Sequence, residues 1–235
     1  LVVCDGMGGE AGGQHAAQQT ARTVEQVTYS DLSAPAAQIL QAAISQANRQ
    51  VHTDAMQNPA YRGMGTTCTA ALIQNNMLIV GHVGDTRAYL VRGTAIRLLT
   101  TDHSRAQLLV EAGALTKEQA ETHPTQSMLV RSVGPKPEVE VDIIRPVQLQ
   151  DGDTVILCSD GLNKHVKDHE IAKTVGALPD EAKSVSYLME MARARGGTDN
   201  CTVIVAGIGK PRARLPAAAV PSTSIGTDLD EDPLP

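Results

Sequence analysis

The chain of 235 residues has no phenylalanine, no tryptophan and only four tyrosines. Single-stranded nucleic acid is held largely on aromatic faces, so a stacking platform is all but excluded. Long apolar runs are missing too: a membrane-crossing helix needs roughly 18 or more consecutive apolar residues, and no such run occurs. Positive charge is scarce and scattered. Twenty Lys and Arg against 26 Asp and Glu leave a net charge of −6 at pH 7, with no basic patch for nucleic acid or an anionic lipid surface. The four cysteines, Cys4, Cys68, Cys158 and Cys201, stand singly in β-like apolar runs without a C-x-x-C pair. They read as small core hydrophobes in a reducing, cytoplasmic setting. A basic leader and a starting Met are absent as well, and the chain opens on Leu1-Val2-Val3-Cys4, which reads as mid-sheet. An N-terminal strand is therefore expected to precede Leu1.

What is present suits one sizeable domain, since single cores grow to about 250 residues. Ala16, Ala17, Thr20, Ala21, Val24 and Val27 recur at helical spacing after a Gly-rich turn, and Ile39, Leu40, Ala43, Ala47 and Val51 do so after Pro35. From Thr66 the period shortens. Runs at 67–73, 77–80 and 87–91, split by Asn75-Asn76 and Gly84-Asp85, read as antiparallel strands whose links are too short for parallel crossovers. Helical spacing returns over 104–122, with Gly113 as a stop and a second short helix near Thr116. Strands are expected at 138–145, at 154–159 and at 201–206, with a helix through Ala182, Val185, Leu188, Met189 and Ala192. Five of the 12 prolines, together with Asp228, Asp230, Glu231 and Asp232, lie from Pro211 to Pro235, so residues 210–235 read as a Pro-rich acidic tail or linker. The pattern is α+β: antiparallel sheet packed by helices.

Three acids share one placement. Asp5 and Asp160 each close an apolar strand, and Asp199 with Asn200 opens another. A strand ending in Asp delivers a carboxylate to the rim of a sheet. Gly6 and Gly161, which follow two of these acids, allow a sharp turn and leave a bare backbone carbonyl as a further oxygen. Such an oxygen set suits magnesium or manganese rather than zinc. Asp85, in the turn Gly84-Asp85-Thr86, is a fourth candidate. The glycines at 6–9 also fit a dinucleotide-binding turn, but a second helix stands at 35–57 where that motif needs a strand, and Asp5 would repel a pyrophosphate. His82, His15, His103 and His123 read as structural, and Arg87 as half of an ion pair, with Asp85 its nearest sequence partner.

Seven segments, in order, carry a family resemblance: LVVCDGMGG from Leu1, GTTCTAA from Gly65, GHVGDTR from Gly81, LTTDHS from Leu99, RSVG from Arg131, LCSDGL from Leu157 and GGTDNCTVIV from Gly196. The chain resembles the bacterial form of the PPM-type (type-2C) metal-dependent protein serine/threonine phosphatases. That resemblance implies two antiparallel sheets packed as a sandwich flanked by helix pairs, spanning residues 1–209. It also implies hydrolysis of phosphoserine and phosphothreonine by a metal-activated water, with two to three Mn2+ or Mg2+ ions. Carried over, Asp5, Asp160 and Asp199 are the catalytic metal ligands with the Gly6 carbonyl, Asp85 joins Asp160 at a third metal, and Asn200 and Gly161 support them. Residues 105–130 correspond to the family's variable flap. Expected partners are phosphorylated proteins and a Ser/Thr protein kinase, with neither nucleic acid nor membrane contact by this domain. A binding module without activity, and a phosphatase of an anti-sigma-factor antagonist, are the alternatives. The chain departs from the family in three ways: Met7 and Glu10 stand where relatives have His, and the family's first strand, with a phosphate-contacting Arg and an acidic ligand, has no counterpart.

Overall fold

The computed structural model describes residues 1–209 apart from positions 31, 179 and 198. The acidic tail expected at 210–235 lies outside the described residues. Strands β1 (Val2–Val3) and β2 (Gly6–Met7) lead into α1 (Glu10–Ser30) and α2 (Ala36–Gln57), and β3 (Gly65–Thr66) returns to pair with β2. The meander then follows as β4 (Cys68–Gln74), β5 (Met77–Val83), β6 (Arg87–Arg92) and β7 (Ala95–Leu98). Asn75 and Asn76 both take positive φ, at 52° and 59°, which is the two-residue turn whose twist matches a right-handed hairpin. Gln74 and Met77 therefore face each other across the β4–β5 ladder.

Two short helices, α3 (Arg105–Glu111) and α4 (Lys117–Ala120), are capped by Ser104 and Thr116, whose hydroxyls accept from the backbone N–H three residues on. Next come β8 (Asp142–Gln148), β9 (Thr154–Cys158), the single turn α5 (Asp160–Asn163), α6 (Asp168–Ala177), α7 (Glu181–Ala194) and β10 (Val203–Gly207).

The strands form two four-stranded antiparallel sheets, in the orders β1-β4-β5-β8 and β10-β9-β6-β7. Alternation decides which residues meet between them. Val3, Ala71, Leu78 and Val80 of the first sheet and Ala88, Leu90, Val155 and Leu157 of the second fill a shared inter-sheet core. Their opposite faces bury against helices. Leu40, Ala43, Ile44 and Val51 of α2 cover the first sheet, and Ile171, Val175, Leu188 and Met191 of α6 and α7 cover the second. The result is the expected helix–sheet–sheet–helix layering. Without Phe or Trp, the largest fully buried side chain is Tyr89, whose hydroxyl donates to Asp168 at 3.0 Å.

Several expectations shift. The strand expected at 138–145 begins only at Asp142 and runs on to Gln148; Pro146 is tolerated because β8 is an edge strand. Cys4 and Cys201 lie just outside strands rather than within them, and all four thiols are free. The last strand runs Val203–Gly207 rather than 201–206. Unforeseen are the edge strand β7 and the helix α6, whose start is fixed by Lys167 N–H donating to the Glu170 carboxylate at 3.0 Å. Leu157 is fully buried in the inter-sheet core whereas Leu108 is 49% exposed. Urea unfolding should show Leu157→Ala less stable by about 2–5 kcal/mol, and Leu108→Ala within about 0.5 kcal/mol of the parent.

Candidate metal centre

The backbone brings the strand-end acids to one rim. Asp5 leaves β1 tied on both sides of its peptide: its N–H donates to the Thr67 hydroxyl at 2.9 Å, and its carbonyl accepts from the Thr66 hydroxyl at 2.9 Å and from Thr67 N–H at 2.9 Å. Gly6 then packs so closely on Gly13 of α1 that an added Cβ would lie 2.1 Å from the Gly13 carbonyl oxygen. Across the sandwich, Asp160 opens α5 directly after β9. Gly161 abuts Asn200, where a Cβ would come 2.5 Å from the Asn200 carbonyl, and the Ser159 hydroxyl spans the same gap by donating to that carbonyl at 3.2 Å and accepting from Thr202 N–H at 3.0 Å. This stitch sets Asp199 beside Asp160. Asp85, 8% exposed, sits in the turn between β5 and β6.

Electrostatics confirm the convergence. Burial, followed by repulsion from Asp160 and Asp199, pushes the Asp5 carboxyl up to about 7. Burial likewise raises Asp85 to about 7, with Asp160, Asp102 and Asp5 adding repulsion. Lys164 acts the other way on both. Its ammonium lies 2.5 Å from Asp160 Oδ2 and 3.8 Å from Asp199 Oδ2. The other Asp160 oxygen, Oδ1, is buried without a hydrogen-bond partner. Among the described residues no three ligating side chains close into a finished cage. An orphaned carboxylate oxygen amid raised carboxyls is what a divalent cation would relieve.

Behind Asp85 stands a polar network that sequence reasoning saw only as separate residues. His82 is buried and its ring Nδ1 meets the Thr69 hydroxyl at 2.9 Å, while burial and then His103 push it down to about 3, so it stays neutral. His103 Nδ1 accepts from Gly84 N–H at 3.0 Å, and its backbone N–H donates to the Gly84 carbonyl at 2.7 Å, pinning the turn that carries Asp85. Asp142 binds His103 Nε2 at 3.1 Å and pairs with Arg131. The structural assignment of His82 and His103 therefore holds. His15 pairs with Asp54 at 3.0 Å and stacks on Tyr61, and His123 bonds its neighbour Thr125 at 2.8 Å, so these too are structural. Arg87 forms an ion pair, but with Asp102 rather than Asp85: two guanidinium nitrogens reach its carboxylate, the closer at 2.7 Å. The two charges lie 15 residues apart in sequence, outside any local spacing pattern.

A cleft of about 420 Å³ opens over this rim, walled by Asp85, Arg87, Asp102, Asp160 and Lys164 and by Gln126 and Ser127 of the flap segment. The family model for protein phosphatase 2C matches residues 1–201. The chain belongs to the protein phosphatase 2C family. It is 35% identical over 208 residues to the serine/threonine protein phosphatase PstP of Mycobacterium tuberculosis, covering 88% of this chain and 40% of that protein, so the chain spans about two fifths of this relative. It is 33% identical over 209 residues to the serine/threonine phosphatase stp of Listeria innocua, covering 87% and 82%. The crystal structure of the M. tuberculosis phosphatase PstP/Ppp superposes with a TM-score of 0.83 at 35% identity over 89% of this chain and 88% of that one. A structure of the PstP catalytic domain in complex with two manganese ions gives 0.79 at 34% identity over 88% and 86%. The mixed fold with antiparallel sheets is thus that of the type-2C phosphatases, and metal dependence belongs to the family.

Raised carboxyls have a direct consequence for stability. Asp5 and Asp85 bind protons more tightly in the folded chain than in the unfolded one, so without metal their charge weakens the fold above pH 7, and that cost fades as pH falls. A divalent cation must displace those protons below pH 7. The rise in melting temperature on adding manganese should therefore be larger at pH 8 than at pH 6, as scanning calorimetry would show; an equal rise would disconnect these carboxyls from the metal.

Proposed function

We propose that this chain hydrolyses phosphoserine and phosphothreonine in proteins with the help of two to three Mn2+ or Mg2+ ions. The observation that carries the reading is the meeting of Asp5, Asp85, Asp160 and Asp199 at one sheet rim in a chain of the type-2C family. Asp5, Asp160 and Asp199, with the carbonyl of Gly6, would hold a pair of cations, and Asp85 with Asp160 a third. Asn200 and Gly161 support them through the Ser159 stitch. When bound, divalent cations supply the charge that neutralises phosphoryl oxygens and lower the pKa of a water molecule to near neutrality.

The chain's own residues do the rest. The Thr66 and Thr67 clamps fix Asp5, the His103–Gly84 clamp fixes Asp85, and these anchors hold the carboxylates without reorganisation at the moment of reaction. A phosphorylated side chain would enter the cleft from the solvent side, with Gln126 and Ser127 of the flap segment on its wall. With a metal-activated water as the nucleophile, no covalent phosphoenzyme is required. Residues 1–209 would be the catalytic domain, and its setting cytoplasmic, with phosphoproteins as substrates and a Ser/Thr protein kinase as the opposing enzyme. No helix among the described residues is long and apolar enough to cross a membrane.

The test is hydrolysis of para-nitrophenyl phosphate and of a phosphothreonine peptide, with manganese and with a chelator. Turnover should require manganese and vanish with the chelator. Asp160→Asn should lower kcat/KM by at least about 10³-fold with the fold intact by circular dichroism, which corresponds to about 4 kcal/mol of lost transition-state stabilisation. Asp85→Asn should leave the tighter manganese sites filled, as titration calorimetry would show, yet slow turnover. Phosphopeptide binding without any manganese-dependent turnover would instead mark a binding module.

A further inference from the structure

Lys164 occupies an unusual position for a cation. The single turn α5 places it four residues after Asp160, with its backbone N–H donating to the Asp160 carbonyl at 3.0 Å, so both side chains project from one face toward the acidic rim. The ammonium then sits 2.5 Å from Asp160 Oδ2 and 3.8 Å from Asp199 Oδ2, and its charge offsets the repulsion felt at Asp5 and at Asp85. The neighbouring guanidinium of Arg87 is engaged by Asp102. Lys164 thus carries the positive charge at the place where four carboxylates meet.

Resting on the reading of the rim as a metal centre, we propose that Lys164 is a built-in counter-cation of that centre. In the metal-free chain it holds Asp160 and Asp199, it competes with divalent cations for them, and it is turned out into the cleft when they bind. The geometry leaves little choice. A hard divalent cation approaches a carboxylate oxygen to about 2.1 Å. With an ammonium already 2.5 Å from Asp160 Oδ2, the two cations would share one oxygen with almost no solvent between them. A cation shared by Asp160 and Asp199 would lie beside that ammonium, which also faces Asp199 Oδ2 at 3.8 Å. The displaced side chain has somewhere to go: it is 25% exposed, lines the 420 Å³ cleft, and hangs on a flexible four-carbon stem. Reserving the site for a competing charge keeps the acids ordered without metal and sets the metal concentration at which the centre fills.

An ordinary helical ion pair would share this geometry, so the test must read metal affinity rather than activity. Manganese binding to the full chain and to Lys164→Gln is measured by titration calorimetry at pH 8, where carboxyls that titrate near 7 are mostly ionised. The variant should bind manganese at least about fivefold more tightly at one site, while its metal-free melting temperature falls and its manganese-saturated one does not. Lys164→Arg, which keeps the charge, should stay close to the parent. In the unsubstituted chain, an amine-reactive label followed by mass spectrometry should modify Lys164 faster with manganese than without. Equal or weaker manganese binding by Lys164→Gln, or labelling that manganese leaves unchanged or slows, overturns the role of Lys164 while the metal centre stands. Failure of the unsubstituted chain to bind manganese overturns both.

Discussion

Four carboxylates gathered at the ends of two facing sheets repel one another, and much of the molecule can be understood as holding them there. Burial first, then repulsion from neighbouring carboxylates, raises Asp5 and Asp85 to about 7, while Lys164 pulls the other way. A chain free to relax would spread such charges into water. Here the backbone forbids it: Asp5 is clamped by two threonines, Asp160 begins a helix at a strand end, and Asp199 is tied to Asp160 through Ser159 and the close approach of Gly161 to Asn200. Such repulsion is sustained because the inter-sheet core and the two helical layers fix the backbone around it.

The support behind the rim is polar, which is costly unless every member is satisfied. Thr69, Thr86, His82, His103, Asp142 and Arg131 form a connected set beneath the Asp85 turn, with hydroxyl, ring and carboxylate groups each meeting a partner. The same set anchors the flap segment. Val130 N–H donates to the His103 carbonyl, and the Ser104–Leu129 bridge closes the base of the loop. The cleft wall and the Asp85 turn are thus built on one network.

The acids themselves were legible from the sequence, because an apolar run ending in Asp has few places to put its carboxylate other than a sheet rim. The β4–β5 hairpin was legible from Asn75-Asn76 for the same reason: the turn needs two positive φ angles, and Asn tolerates them. What escaped were short or non-local features. Strand β7 spans only Ala95–Leu98 on an edge, and α6 offers little more than Ile171, Ala172 and Val175 as its buried stripe. The Arg87–Asp102 pair joins residues on either side of a hairpin, and the place of Lys164 depends on a one-turn helix that has no periodicity to read. Spacing reveals elements with a long apolar stripe; contacts made by the fold it does not reveal.

On the proposed reading, Asp5, Asp160 and Asp199 hold a pair of divalent cations at this rim. Crystals soaked in manganese, with anomalous scattering to locate it, test that most directly. The account predicts two anomalous peaks within coordination distance of these carboxylates, with the Lys164 ammonium withdrawn from Asp160. Manganese bound elsewhere, or a rim still bridged by Lys164 at saturating manganese, would contradict it.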